Sequence, residues 1–273
     1  MTDPKPGEPR GVLGPRPEKH RFRHARYQPS ADLGFFVEHY WVVRWDLRGE
    51  EPHLAETLPH PCVHLVVEEG RSEIVGVMRG RFSRPLAGEG RVFGVKFRPG
   101  AFHPFWGSPV SGLTDRRLGL REAFGAEGIS LEEAVLPQED ERARVGVAEA
   151  FLRGRLPERD PNVATTARVA EMIATDRTVT RVEDVAVRSG VGKRTLQRLF
   201  GRYVGVGPKW VIRRYRLHEA AERLADGDEA LNLAELALEL GYFDQAHFAK
   251  DFEKVVGAAP AKYARRARSI PGS

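Results

Sequence analysis

Residues 185–208 read VAVRSGVGKRTLQRLFGRYVGVGP, and residues 236–260 repeat the pattern as LALELGYFDQAHFAKDFEKVVGAAP. In both stretches a hydrophobic residue and Ala are followed by Gly four residues on, and then by an apolar run that ends in Phe. From Phe200 and from Phe252 the spacing to Val-Gly and to Pro is identical. Repetition of this kind indicates one supersecondary unit that the chain uses twice.

Each stretch predicts a helix-turn-helix unit. A capping signature precedes the first helix, with Thr180 and Glu183 in one unit and Asn232 and Glu235 in the other. The Gly then permits the left-handed backbone that turns the chain into a second helix. The apolar positions of the second helices recur at helical spacing, and we expect them to be buried at Leu196, Leu199, Phe200, Phe248 and Phe252.

The outward positions of the second helices carry side chains that can read bases in a DNA major groove. Arg can donate two hydrogen bonds to guanine, and Gln can pair with adenine. We therefore expect base contacts from Lys193, Arg194, Gln197, Arg198, Gln245, His247 and Lys250. Asp244 and Asp251 are expected near the same surface, so the second unit is predicted to contribute mainly positioning.

A long helix is predicted between the two units, over residues 208–225. It begins with Pro208, which suits a first helical turn. At about 1.5 Å per residue this helix would be roughly 27 Å long. The two second helices could then enter successive major grooves on one face of B-DNA, whose repeat is about 34 Å.

Positive charge is concentrated in the C-terminal part of the chain. Residues 161–273 contain 19 Lys and Arg against 14 Asp and Glu, whereas the first 160 residues contain 24 of each. Residues 185–218 contain nine basic residues and no acid. Such a run favours contact with phosphates through counterion release, with a solvated basic face as the alternative. We expect phosphate contacts from Arg202, Lys209, Arg213 and Arg214.

Residues 161–268 resemble the AraC/XylS family of bacterial transcription regulators. The resemblance is carried by the Ala, Gly, Leu and Phe spacing of both units, by GYFDQAHF at residues 241–248 and by Pro260 with Tyr263. It implies an all-α domain of two helix-turn-helix units joined by a long helix, and a regulator that reads two successive major grooves. Gly192 departs from the family pattern, which often has Ser as the helix cap.

The N-terminal part of the chain predicts strands, which makes the fold class α+β. Residues 1–20 hold five Pro and three Gly, which predicts a disordered leader. Residues 21–128 contain short β-branched and aromatic runs, which predict a small β-barrel with flanking helices. YQPSADL at 27–33 and FRPGA at 97–101 are similar to a cupin-like domain often fused to AraC-type readers. Residues 129–160 predict a helical linker, either a spacer or a dimerisation surface, and residues 269–273 a tail.

Three kinds of site are conceivable in the predicted barrel. A small-molecule effector pocket is expected from Trp41, His64, Phe93, Phe97 and Arg98, with plain core packing as the alternative. A metal site is not expected, because His60 and His64 would lie about 13 Å apart along a strand. No cofactor is expected either. Cys62 is the only cysteine and is expected to be a buried strand residue rather than a redox or alkylation sensor.

Composition narrows the class of protein. No run of 18 apolar residues occurs and the first residues lack the apolar core of a signal peptide, so a cytoplasmic location is expected. The interpretation is a non-enzymatic transcription regulator that binds double-stranded DNA and responds to a small effector. RNA polymerase would be a partner if the protein activates, and a homodimer is left open. The alternatives are a cupin-like enzyme or alkylation sensor fused to a DNA reader, or a ligand-free regulator whose barrel mediates oligomerisation.

Overall fold

The computed structural model describes residues 11–13, 21–226 and 231–268. All described strands lie in the N-terminal half, and the C-terminal half is helical, which confirms the mixed fold class. One antiparallel sheet has six described strands, which in spatial order are β2 (Phe22–Tyr27), β3 (Val37–Leu47), β8 (Gly88–Phe97), β5 (His64–Val67), β6 (Glu73–Val75) and β9 (Arg117–Gly119). A smaller sheet is formed by β1 (Val12–Leu13), β4 (His53–Thr57) and β7 (Phe82–Leu86).

The two faces of the six-stranded sheet are both covered. Val42 pairs with Phe93 and Tyr40 with Val95, so these side chains share one face. This helix-side face packs against α1 (His103–Trp106), α2 (Leu120–Phe124), α3 (Ala126–Val135) and α4 (Glu141–Gly154). The opposite, sheet-side face carries Trp45 and packs against Leu86 and Ala55 of the smaller sheet.

The predicted barrel does not close. Among the described strands, β2 and β9 lie at opposite edges of the larger sheet, and the smaller sheet pairs only within itself. The prediction of a small closed barrel is therefore wrong. Closure depends on strand tilt and register, which short apolar runs do not specify. Because helices cover one face and the smaller sheet covers the other, an open arrangement still buries both apolar surfaces.

Part of the predicted disordered leader is ordered. Val12 pairs with Thr57, and Leu13 pairs with Glu56. Leu13 is buried in a cluster that includes Leu217 of the C-terminal half. Disorder is therefore the wrong prediction for this pair, because one apolar side chain finds a partner far along the chain. The remainder of residues 1–20 lies outside the described residues, as does the predicted tail.

The predicted linker packs as part of the core. Leu131 and Val135 of α3, with Ala148 and Leu152 of α4, join the cluster on the helix-side face. Asp140 caps α4 by accepting a hydrogen bond from the backbone N–H of Ala143 at 3.0 Å. The apolar stripe of these helices is thus used within the chain, rather than as a spacer or an exposed dimerisation surface.

The C-terminal helices follow the predicted order. They are α5 (Pro161–Thr175), α6 (Val182–Ser189), α7 (Lys193–Leu199), a π-helix (Phe200–Val204), α8 (Pro208–Ala225), α9 (Leu233–Glu239), α10 (Gln245–Val256) and α11 (Pro260–Arg268). Gly190 and Gly241 have φ of 69° and 82°, the left-handed conformation that each turn requires. The five apolar positions expected to be buried are all buried. Two helix-turn-helix units joined by an 18-residue helix are therefore confirmed.

One of the two capping predictions needs correction. Asn232 caps α9 as expected, since its side chain accepts from the backbone N–H of Ala234 at 2.9 Å. In the first unit the carboxylate that accepts from the backbone N–H of Thr180 and Arg181 belongs to Asp184. Glu183 instead pairs with Lys193. The helix begins one residue later than the sequence pattern suggested, which moves the capping position by one.

Candidate nucleic-acid interface

The second helix of the first unit, α7, presents four exposed polar side chains. Lys193, Arg194, Gln197 and Arg198 are all exposed, as the sequence predicts, because Leu196 and Leu199 hold the opposite side of α7 in the core. Lys193 Nζ lies 2.8 Å from Glu183 Oε1. Arg198 makes no hydrogen bond or ion pair with the part of the chain that the structure describes. Its guanidinium is therefore available to a ligand.

The second helix of the second unit, α10, presents Gln245, His247 and Lys250. These three side chains are also exposed. Asp244 caps α10, since its carboxylate accepts from the backbone N–H of His247 at 2.7 Å. The carboxylate of Asp244 is thus used to cap α10, where its negative charge complements the unpaired amide groups at the start of the helix.

The position of Asp251 differs from the one expected for the second unit. Its side chain is 2% exposed and pairs with Arg213. It also accepts a hydrogen bond from Tyr242 Oη at 2.8 Å. Asp251 therefore faces the interior and adds no exposed negative charge to the outward surface of α10. The expected exposure of Asp251 is therefore wrong, whereas Asp244 is exposed as expected, and a mainly positioning role of the second unit stays a prediction.

The four predicted phosphate contacts have different surroundings. Lys209 is exposed. Arg202 is also exposed, and its Nε donates to His103 Nε2 at 3.1 Å. Burial and the nearby Arg202 guanidinium lower the pKa of His103, which favours the neutral acceptor form. Arg213 is about half exposed and pairs with Asp251.

Arg214 is an interior residue, so its assignment as a phosphate contact is wrong. It is 2% exposed, and its Nη2 donates to the backbone carbonyl of Arg79 at 2.6 Å. The guanidinium lies over the Trp210 ring, 4.6 Å from its centroid. Burial lowers the pKa of Arg214 to about 10, so the side chain stays charged at neutral pH. Arg216 is also buried and donates to Ile173 O at 2.6 Å. The basic residues of α8 therefore lie on the buried side of the helix as well as on its exposed side.

The N-terminal half contacts the same turn in both units. Thr114 Oγ1 donates to Gly205 O at 2.7 Å, next to the end of the first unit. Arg81 Nη1 donates to Val256 O at 3.1 Å, at the end of α10 in the second unit. Gly257 has φ of 88°, and a Cβ added there would lie 2.0 Å from Arg81 Nη1. The N-terminal half therefore bridges both units, which sequence reasoning missed because no local pattern signals it.

The predicted effector pocket divides between two faces of the sheet. Phe93 and Phe97 lie in the core on the helix-side face. Trp41 lies on the sheet-side face, where its Nε1 donates to His64 Nδ1 at 3.2 Å. Arg98 Nε donates to Gly34 O at 2.8 Å. These five side chains do not line one cavity, because alternate residues of a strand point to opposite faces.

A polar cluster lies beside Trp41 and His64. Lys96, which pairs across the sheet with His64, lies 2.9 Å from Glu38 Oε1. His39 Nδ1 lies 3.4 Å from the same oxygen. Within the described residues, no three His, Cys, Asp or Glu side chains come together to hold a metal ion.

Cys62 is buried next to this cluster. Its Sγ lies 3.4 Å from His64 Nε2. Burial raises the pKa of the Cys62 thiol to about 12, so the thiolate form that reacts with alkylating agents is scarce at neutral pH. The environment of this cysteine is unlike that of a reactive thiol.

Acidification below pH 6.5 is expected to destabilise the protein through His64. Burial, followed by the charge of Lys96, lowers the pKa of His64 from 6.5 to about 3. The unfolded chain then binds a proton that the folded chain excludes, so stability is full above pH 6.5 and falls between pH 6.5 and about 3. The loss approaches about 1.4 kcal/mol per pH unit for one proton.

Urea unfolding of the wild type and of His64→Gln across this range measures the effect. The difference between the two proteins isolates His64, because His39, His53 and His103 also have lowered pKa values and remain in both. Parallel profiles for the two proteins would contradict the expectation.

No helix in residues 11–13, 21–226 or 231–268 combines the length and the apolar character needed to cross a bilayer.

Residues 185–266 match a family described as a helix-turn-helix domain, and residues 25–119 match a domain of unknown function.

Two curated relatives match part of the chain. The probable transcription factor PqrA of Proteus vulgaris is 34% identical over 83 residues, which are 30% of this chain and 66% of that protein. The HTH-type transcriptional activator AarP of Providencia stuartii is 37% identical over 82 residues, which are 30% of this chain and 59% of that protein. The chain thus spans less than two thirds of the length of either relative.

A solved structure is also similar to part of the chain. It is a probable AraC family transcriptional regulator from Rhodopseudomonas palustris CGA009, which is 27% identical, with a TM-score of 0.35 over 38% of this chain and 97% of that chain.

Proposed function

From the match of residues 185–266 to a helix-turn-helix domain family, together with the resemblance of residues 161–268 to the AraC/XylS family, we propose that the whole chain is a sequence-specific, DNA-binding regulator of transcription. The observation that supports this most is the exposure of the polar faces of α7 and α10, with their apolar faces buried. The two helices enter successive major grooves, with an 18-residue helix between their units.

The residues proposed to read bases are seven of the exposed polar residues on the two helices. In the first groove they are Lys193, Arg194, Gln197 and Arg198, and in the second they are Gln245, His247 and Lys250. Lys209 and Arg202 contact phosphates. For Arg202 this requires that its hydrogen bond to His103 is broken when DNA binds. Arg213 contributes to stability through Asp251 rather than to DNA binding.

Selection of duplexes from a random pool by the purified full-length protein tests the proposal. The expected product is a bipartite sequence whose two boxes are centred about one helical turn, 10 to 10.5 base pairs, apart. Shuffled versions of the selected duplex serve as the control. Equal binding to selected and shuffled duplexes would leave only charge-driven binding and would refute sequence-specific regulation.

We propose further that the N-terminal half modulates the DNA-binding half. Its support is that Thr114 and Arg81 hold corresponding turns of the two units. A ligand that rearranges the sheets would change how α7 and α10 are presented. A small effector follows from the family resemblance alone, and the catalytic alternative has less support, because the relatives are transcription factors and Cys62 is a buried thiol.

A thermal-shift screen of small metabolites, followed by DNA affinity with each hit, tests the effector. A compound that raises the unfolding temperature and changes affinity for the selected duplex supports it. No hit, together with a stable dimer in sedimentation, would favour the ligand-free alternative.

A further inference from the structure

Phe243 is a large apolar side chain that the fold leaves in solvent. It is 87% exposed and lies in the turn that leads into α10. The two repeats differ in length at this turn. Phe200 follows Gly190 by ten residues, whereas Phe252 follows Gly241 by eleven. The second unit therefore has one extra residue ahead of its second helix.

Packing within the unit does not use this side chain. An apolar residue just before the helix cap commonly packs on the fourth residue of the helix. The cap of α10 is Asp244 and the fourth residue is Phe248, but the ring that packs on Phe248, with a centroid distance of 5.4 Å, belongs to Tyr242. With Tyr242 in that position, the extra residue of the turn places Phe243 outside.

The first unit shows the ordinary arrangement. Its second helix is capped by Gly192, and Val191 before the cap packs against the core of that unit. Val191 and Phe243 occupy the same place relative to their helices, one residue before the cap, yet one is partly buried and the other is exposed. Phe243 of the second unit therefore has no role in the packing of that unit.

Phe243 lies next to the N-terminal end of α10, the helix proposed to enter the major groove. Residues at the N-terminal end of a recognition helix are those that contact base edges in the major groove. Phe243 precedes the exposed Gln245 by two residues. The apolar group that the major groove offers is the C5-methyl of thymine, which Phe side chains contact. We propose that Phe243 packs against a thymine methyl in the box read by the second unit.

This proposal rests on the proposed function, and it assigns a base preference to the second unit. Burial of one methyl group is worth about fourfold in affinity. The test uses the full-length protein and the duplex that the wild type selects. Each thymine of that duplex is replaced in turn by deoxyuridine, which lacks only the methyl group.

One thymine in the second box is expected to show the effect. Deoxyuridine at that position weakens wild-type binding about fourfold. Phe243→Ala weakens binding to the thymine duplex at least as much, and deoxyuridine then causes no further loss. Such non-additivity is the signature of a direct contact. Thermal melts should coincide for Phe243→Ala and wild type, because the side chain is exposed.

Leu238→Ala is the matched control. Leu238 is a 63% exposed apolar residue on α9, the first helix of the same unit. This variant should keep both the affinity and the deoxyuridine effect of the wild type.

Three outcomes would overturn the proposal. Equal losses for Phe243→Ala on thymine and deoxyuridine duplexes would indicate a sugar or phosphate contact. No effect of deoxyuridine at any position in the wild type would exclude a methyl contact, while the preference for the selected duplex would still support the proposed function. Failure to select any sequence would reject both.

Discussion

Replacement of Arg213 by Met is expected to lower the free energy of unfolding by about 3 kcal/mol. Arg213 is 48% exposed, but the Asp251 carboxylate that it pairs with is 2% exposed. Once the guanidinium is removed, Tyr242 Oη is the remaining donor to that carboxylate among the described residues. The buried negative charge then loses most of its compensation. We place the cost at the low end for a buried pair because the Arg is half solvated.

Urea unfolding of the variant measures this cost, and the internal repeat supplies a matched rescue. Asp251 immediately precedes Phe252, as Leu199 immediately precedes Phe200 in the first unit. Leu199 is buried without a charge. Arg213→Met combined with Asp251→Leu should therefore recover most of the lost stability, since an apolar pair can replace a buried ion pair.

The stability measurement also decides between two roles of Arg213. If Arg213→Met unfolds at the urea concentration of the wild type but binds every duplex more weakly, Arg213 contacts phosphate, as the charge pattern of the sequence suggested. Lys209→Ala is the comparison for that case. Lys209 is exposed, and its loss should weaken binding uniformly and reduce the salt dependence by about one charge.

Arg198→Ala is expected to weaken binding to the selected duplex by about 1–3 kcal/mol, or roughly 5- to 150-fold. Arg198 is exposed on α7, between the buried Leu196 and Phe200, so its removal should leave the unfolding free energy nearly unchanged. The guanidinium can donate two hydrogen bonds to one guanine. The preference for that base should therefore disappear at one position of the first box only.

Titration of fluorescent duplexes that carry each of the four base pairs at every position measures the loss. Arg194→Ala, one turn earlier on the same helix, should relax a different position of the same box. A loss that is equal for all duplexes would contradict base readout by Arg198 and would make it a phosphate contact.

Local sequence signals predicted the C-terminal domain well. The repeat, the two glycines in the left-handed conformation and the apolar spacing of α7 and α10 depend on residues within a few turns of one another. Their physical causes, which are helical periodicity and glycine conformational freedom, act locally. For that reason the sequence also predicted that Arg198 and Gln245 are exposed.

Predictions that depended on distant partners were less accurate. Arg214 and Asp251 are charged residues at interior positions, where Arg79 O and Arg213 compensate them. Phe93 and Trp41 are both aromatic strand residues, yet they lie on opposite faces of one sheet. Nothing in the residues next to them in the chain indicates these outcomes.

By itself the sequence determined that two helix-turn-helix units are present, which residues of α7 and α10 face outward, and where the positive charge accumulates. Tertiary structure alone decided that the sheets stay open, that Thr114 and Arg81 reach the turns of both units, and that Arg214 and Asp251 are interior. The physical reason is the separation along the chain of the residues that each effect involves. Helical periodicity and turn chemistry are set by neighbouring residues, whereas sheet closure and the pairing of buried charges depend on groups brought together from distant parts of the chain.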